Sequence, residues 1–313
     1  MRTADRAFGL LVLLALVSSA ILIALLAALL PRVLASGAGG VADLPAFVAL
    51  LVLALATLGF VLGLSSLFRQ LLATLSLIRS LLAGRIPTPE RVAVVASGAD
   101  LRGRVDVVRD ARPFSFCYWF RSPRICLSTG LIARLDDDEL RAVLLHERYH
   151  LRHRDPLRLV IARYFAAGLY VVPVVDELVT YYTVQKEVAA DADAVRLMGG
   201  VRALASALFK VLPDADDLEL GLLVPVGSLS VTEARIDRLV DGRAVPLALT
   251  PASVALSGGA LCAAAILAVT GAGLDPALPL LTVTGLIGPA SLLFAAAVTG
   301  AIHQVRLVAP RPR

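Results

Sequence analysis

Two histidines four residues apart flank a glutamate in the run Leu144-Leu145-His146-Glu147-Arg148-Tyr149-His150. On a helix, residues at i and i+4 lie one turn apart on the same face, so both imidazoles can bind one metal ion, with Glu147 directed at the same place. That is the pattern of a zinc peptidase. Zn2+ held by neutral histidines keeps a position open for water and lowers the pKa of that water, and Glu147 is then the general base that takes the proton. A third protein ligand must come from elsewhere, and the best candidate is Glu187 in Glu187-Val188-Ala189-Ala190-Asp191. A second helix carrying this glutamate completes a His-His-Glu set, and Asp191, one turn on, is placed to orient a histidine by accepting its free N–H.

The segments around these residues must hold them in place. Asp136-Asp137-Asp138-Glu139 supplies an acidic start for the motif helix, matching the positive end of the helix dipole, and Leu140, Val143 and Leu144 form its apolar stripe. Pro156 stops or kinks that helix. Upstream, four short β-type runs, Arg91 to Ala96, Arg104 to Arg109, Phe114 to Phe120 and Arg124 to Ser128, predict a small antiparallel sheet. The aromatic run has two readings. Phe114, Ser115, Phe116, Cys117 and Tyr118 belong either to a core strand or to an edge strand above the metal that pairs with an extended substrate. Cys117 and Cys126 lack zinc-site spacing and read as small apolar strand residues. His153, in an Arg-rich turn, reads as a solvated side chain ahead of a substitute metal ligand, Tyr181 and Tyr182 as packing residues ahead of oxyanion donors, and Arg235 as one half of a surface ion pair ahead of a residue that reaches the site.

Composition sets the surroundings. Of the 313 residues, 58% are hydrophobic, and the mean hydropathy is +0.80, values that mark a membrane protein. Four uncharged runs are long enough to cross a bilayer: Phe8 to Leu30, Ala46 to Phe68, Ser253 to Gly273 and Ala277 to Ile302. The first is too long for a typical signal-peptide core and reads as an anchor. Arg2 and Arg6 before the first span, Arg69, Arg79 and Arg85 after the second, and Arg306, Arg311 and Arg313 in the tail place both termini and the central region in the cytoplasm. The net charge of +5 is largely this topology signal, so no nucleic-acid partner is needed to explain it. Leu157 to Val175 is apolar but interrupted by Arg158, Arg163 and Pro173, and reads as a helix pair buried in the catalytic domain or lying against the bilayer.

The expected organisation is therefore two transmembrane helices with a helical extension (1–82), a cytoplasmic α+β zincin-like, gluzincin-type domain (83–245), and two further spans with a basic tail (246–313). The run from Cys117 to Leu131, the segment from Glu139 to His150, Arg152-His153-Arg154-Asp155-Pro156 and Glu187 to Asp191 together resemble the membrane zinc metallopeptidases of the BlaR/MecR type. More distantly, they are similar to the HtpX and CAAX-prenyl membrane proteases. That resemblance implies His146, His150 and Glu187 as zinc ligands and Glu147 as catalytic base. It also implies regulated proteolysis of a protein substrate, such as a transcriptional repressor, at the plasma membrane, with a homodimer or a sensor protein as further partner. Clearance of damaged membrane proteins is the alternative within the same chemistry, and a non-catalytic signalling scaffold the alternative outside it. The sensor members carry a Ser-x-x-Lys acylation motif, whereas the two lysines here, Lys186 and Lys210, do not follow a serine at that spacing. Direct β-lactam sensing is not expected.

Overall fold

A computed structural model describes residues 2–36, 44–119, 122–211, 235, 247 and 249–271. In chain order its elements are α1 (Arg2–Ser36), α2 (Leu44–Ala83), β1 (Arg85–Ile86), α3 (Glu90–Gly98), β2 (Val105–Val108), β3 (Ser115–Trp119) and β4 (Pro123–Ser128). These are followed by α4 (Thr129–Arg134), α5 (Asp137–His153), α6 (Asp155–Gly168), α7 (Val174–Met198), α8 (Arg202–Val211) and α9 (Pro251–Gly271). The chain divides into two compact units, one formed by 68–161 and 182–245, the other by 2–67, 162–181 and 246–313.

The first unit is built on a four-stranded sheet in the order β1-β2-β4-β3. β2 and β4 run parallel, while β1–β2 and β3–β4 are antiparallel, so the sheet is mixed where an antiparallel one was expected. Among the described residues β3 is an edge strand, and Phe114 and Tyr118 are nonetheless buried, so the run has features of both readings. The other departure is α3. Arg91 to Ala96 reads as β-type, yet it forms a helix because Val92 and Ala96, four apart, both bury in the core. Arg91 also ties that helix to the Ile132 and Leu135 carbonyls and to Asp137. Tertiary contacts outweigh the weak strand preference of a short Val-rich run.

The core of this unit packs Leu101, Val107, Ile125 and Leu127 from the sheet region against Leu140, Leu144 and Leu145 of α5 and Leu204 of α8. Helix α5 starts with a capping box: Asp136 accepts from the Glu139 N–H, and the Glu139 carboxylate accepts from the Asp136 N–H. Glu139 also binds Ser206 and Lys210 of α8, fixing α5 against that helix. α4 is held by close backbone approach. A Cβ at Gly130 would sit 2.0 Å from the Ala111 carbonyl oxygen, so only glycine fits there.

The second unit is helical. Leu11 and Leu14 of α1 pack with Ala162, Val172, Val174, Val175, Leu178 and Val179. Gly59 of α2 meets α6 so closely that a Cβ would come within 2.5 Å of the Gly168 carbonyl oxygen. Glu177 accepts from the Thr250 N–H and hydroxyl and from the Ser253 hydroxyl, capping the start of α9. Residues 162–181, the end of α6 and the start of α7, thus belong with the apolar helices and not with the sheet-bearing unit. Of the two readings of their apolar character, burial in the catalytic domain or a place against the bilayer, this grouping leaves the second. Among the described residues, one helix, over Leu50–Ala83, is long and apolar enough to cross a membrane. α1 covers the first predicted span, and α9 covers the third as far as Gly271. The fourth, Ala277 to Ile302, and His303 beyond it lie outside the described residues.

Candidate metal centre

Two helices bring the predicted ligands together. α5 presents His146 and His150 on one face, and α7 presents Glu187. The His146 and His150 Nε2 atoms are 3.1 Å apart, Glu187 Oε2 is 3.3 Å from His146 Nε2, and Glu187 Oε1 is 3.4 Å from His150 Nε2. Among the described residues this is the one group of three such donors close enough to share an ion. Zinc–ligand bonds of about 2.0–2.1 Å at tetrahedral angles require donors roughly 3.3 Å apart, so the separations suit one Zn2+.

Each histidine is oriented from behind. His146 Nδ1 lies 2.8 Å from Asp191 Oδ1, as the spacing predicts. His150 Nδ1 lies 2.9 Å from Asp155 Oδ2, a partner the sequence does not disclose. The chain turns between His150 and Asp155 through Arg154, whose φ of 55° is left-handed and ends α5. That turn, invisible to helical periodicity, swings the carboxylate back onto the ring.

The charges complete the picture. Arg235 grips both oxygens of Asp191 at 2.7 Å and lies 3.4 Å from Glu187, with its side chain 14% exposed. It reaches the site, the alternative to the surface ion pair that the sequence offers, and is mostly covered. Lys186 pairs with Asp155 at 3.0 Å. Four carboxylates, Glu147, Asp155, Glu187 and Asp191, thus face two cations, and the two remaining negative charges complement one divalent ion. Burial opposes a charged His146, but hydrogen bonds to Asp191 and Glu187 outweigh it and hold the imidazole pKa at about 10, so the carboxylates draw positive charge to this spot. Burial likewise raises the Glu187 carboxyl, and the nearby His150, His146 and Arg235 overcome it and hold the pKa well below the usual range.

Glu147 is held from the sheet. Ser115 Oγ donates to its carboxylate at 2.8 Å, and Cys117 Sγ donates to its carbonyl oxygen at 2.9 Å, with the second carboxylate oxygen 3.2 Å away. Burial and the Glu147 charge push the Cys117 thiol pKa well above its ordinary value, so it is a proton-bearing donor and not a thiolate. The five residues predicted to bind substrate therefore divide by strand parity. Ser115 and Cys117 face the metal centre, whereas Phe114, Phe116 and Tyr118 join a second apolar cluster with Ile78, Val108 and Cys126. Ser115, Phe116, Cys117 and Tyr118 share the backbone of the edge strand β3, and Phe114 immediately precedes it, its carbonyl accepting from the Ser128 N–H. Cys126 matches its expected role, being buried in β4 with its pKa raised to about 12 by burial and the Asp106 charge. His153 is half-buried, stacked on Tyr149 with ring centroids 4.0 Å apart, and stands outside the donor group. Tyr181 and Tyr182 are buried, in line with packing roles.

This arrangement, two helix-borne histidines and a glutamate from a second helix with Glu147 on the motif helix, is the residue set that a metallopeptidase site uses. The family model for peptidase family M48 matches residues 87–251, just over half of the chain, and the chain belongs to that family. M48 peptidases are zinc metalloproteases. Similar relatives include a protein named Protease HtpX homolog from Moorella thermoacetica, 31% identical over 164 residues and covering 39% of this chain. Another of the same name, from Acidiphilium cryptum, is 34% identical over 94 residues and covers 28%. The chain spans 54% of the length of the first relative and 32% of the second.

Proposed function

We propose that this metallopeptidase is a membrane-embedded zinc endopeptidase that cleaves a cytoplasmic or membrane-proximal protein. The observation that carries the reading is the His146, His150 and Glu187 donor triangle beside Glu147. When bound there, Zn2+ supplies Lewis acidity and acidifies a water molecule. Glu147 takes the proton of the attacking water and delivers it to the leaving amine. Ser115 and Cys117 hold its carboxylate during both transfers. Asp191 and Asp155 keep the histidine rings turned so that each Nε2 faces the ion. The substrate adds as an extended strand along the edge of β3 that no described strand pairs with, using main-chain groups of residues 114–118.

The arginine pattern supports a cytoplasmic catalytic domain between pairs of spans, in a multi-pass plasma-membrane protein with both termini inside. The BlaR/MecR-like motifs support regulated proteolysis, with a repressor as one such substrate and a sensor protein or a second copy as partner. A second reading within the same chemistry is general proteolysis of damaged membrane proteins; the matches to proteins named Protease HtpX homolog support the protease chemistry that both readings share. Comparing cytosolic and membrane protein N-termini in cells carrying wild type or Glu147→Gln separates the two: one new cleavage site supports the first, many the second. On purified full-length chain, Glu147→Gln is expected to keep about one zinc and lose at least about 100-fold in cleavage, whereas Glu187→Ala loses the metal. A Glu147→Gln protein that cleaves like wild type, or a Glu187→Ala protein that holds zinc normally, would defeat the assignment.

A further inference from the structure

Lys186 is one of two lysines in the chain, and its side chain is only 4% exposed. Burying an ammonium is costly unless its charge is matched and its donors are used. Here Nζ lies 3.0 Å from Asp155 Oδ1, while the other oxygen of that carboxylate, Oδ2, lies 2.9 Å from His150 Nδ1. The rings of Tyr149 and Tyr182 lie under the cation, with centroids 5.6 and 5.7 Å from Nζ, close enough for a favourable cation–π contribution. The chain Lys186–Asp155–His150 therefore repeats the order cation, carboxylate, histidine found in Arg235–Asp191–His146.

We propose that Lys186 is a positioning residue for the metal centre: it pins the Asp155 carboxylate so that His150 is fixed with Nδ1 on Asp155 and Nε2 toward the ion. The inference rests on the zinc reading given above. An unpaired Asp155 carboxylate has two equivalent oxygens and free rotation about its terminal bond, so it offers His150 no single orientation. With Oδ1 held by Lys186, only Oδ2 is left for the ring. Lys186 precedes Glu187 on α7, so the same turn that supplies the third ligand also locks the second histidine of α5. Two helices are thereby fitted to one ion.

The test uses full-length protein in detergent and compares wild type, Lys186→Met, Lys186→Gln, Asp155→Asn and the Lys186→Met/Asp155→Asn double variant. Zinc affinity is read by chelator competition, and ligand geometry by the visible spectrum of the cobalt-substituted chain. Lys186→Met is expected to weaken zinc about 10- to 100-fold, the usual range for losing a partner behind a ligand, and to alter the cobalt bands. Lys186→Gln, which keeps a hydrogen-bond donor, should recover part of the loss. Because Lys186 acts through Asp155, the double variant should bind zinc no more weakly than Asp155→Asn alone. Wild-type affinity and spectrum in Lys186→Met, or losses that multiply in the double variant, would overturn the inference. So would a failure of both Lys186 variants to fold, since Lys186 would then serve the fold in general. Wild type that binds no zinc would instead sink the metal centre itself.

Discussion

Asp106 is the test of how the edge strand is held. It lies on β2, fully buried, and accepts from Tyr118 Oη on β3, from Arg124 Nε and, at 2.8 Å, Nη2 on β4, and from Arg85 at 2.6 Å on β1. One carboxylate thus ties together all four strands. Asp106→Asn keeps the shape but removes the charge, and places an amide NH2 among donors that need acceptors. Losing one partner of a fully buried pair costs about 3–5 kcal/mol, yet the Arg85 and Arg124 side chains are 54% and 25% exposed and can rehydrate. The Tyr118 hydroxyl cannot, and leaving it poorly satisfied costs about 1–3 kcal/mol. A net loss of about 2–4 kcal/mol follows, or about 5–15 °C in Tm for a unit of this size.

Burial acts to raise the Asp106 carboxyl, but hydrogen bonds from Arg124 and Tyr118 and the charges of Arg124 and Arg85 hold its pKa below the ordinary value. A lowered folded-state pKa means that its stabilisation is fully present above the unfolded pKa of about 3.9 and is lost as pH falls through the folded value. The gap between wild type and Asp106→Asn should therefore be constant from about pH 5 upward and narrow below about pH 4. Thermal unfolding followed by the fluorescence of Trp119, the chain's one tryptophan and part of β3, reads the loss where it matters. A variant melting within about 2 °C of wild type at pH 7, or a gap that does not close in acid, would refute the reasoning.

Two further variants separate support from chemistry. Glu139→Ala removes the capping-box partner of Asp136 and the acceptor for Ser206 and Lys210, and should cost about 1–3 kcal/mol in urea unfolding, with zinc content unchanged in the folded protein. Ser115→Ala frees one side of the Glu147 carboxylate and should lower kcat about 10-fold with zinc content and KM unchanged. Cys117→Ala, which removes a weaker thiol donor, should lower it less; an effect on KM alone in either variant would mean that these side chains touch substrate and do not hold the base.

The His-His-Glu cluster was legible because it rests on helical spacing. His146, Glu147 and His150, and then Glu187 and Asp191, follow from a period that an α-helix imposes whatever surrounds it. Three of the four expected strands were legible too, from short apolar runs bounded by turn residues. What spacing could not carry is anything decided across a turn or between distant segments. Asp155 reaches His150 only because Arg154 adopts a left-handed conformation, and Arg235 meets Asp191 from 44 residues away. The parallel pairing of β2 with β4 was hidden because the intervening strand, β3, goes to the outside of the sheet. Arg91 to Ala96 misled because a run of valines and alanines has no strong preference once two of its members can reach a core.

The alternation along β3, counted from Phe114 just before it, separates two kinds of selection on adjacent residues. Even-numbered positions, Phe114, Phe116 and Tyr118, are answerable to packing, so tolerated changes there conserve volume and apolarity and leave their mark on yield and melting. Odd-numbered positions, Ser115 and Cys117, are answerable to a carboxylate, so tolerated changes conserve a donor proton and leave their mark on turnover. A saturation library across five codons would thus sort by parity, with the fold and the chemistry of one short strand evolving on alternate letters of the same sequence.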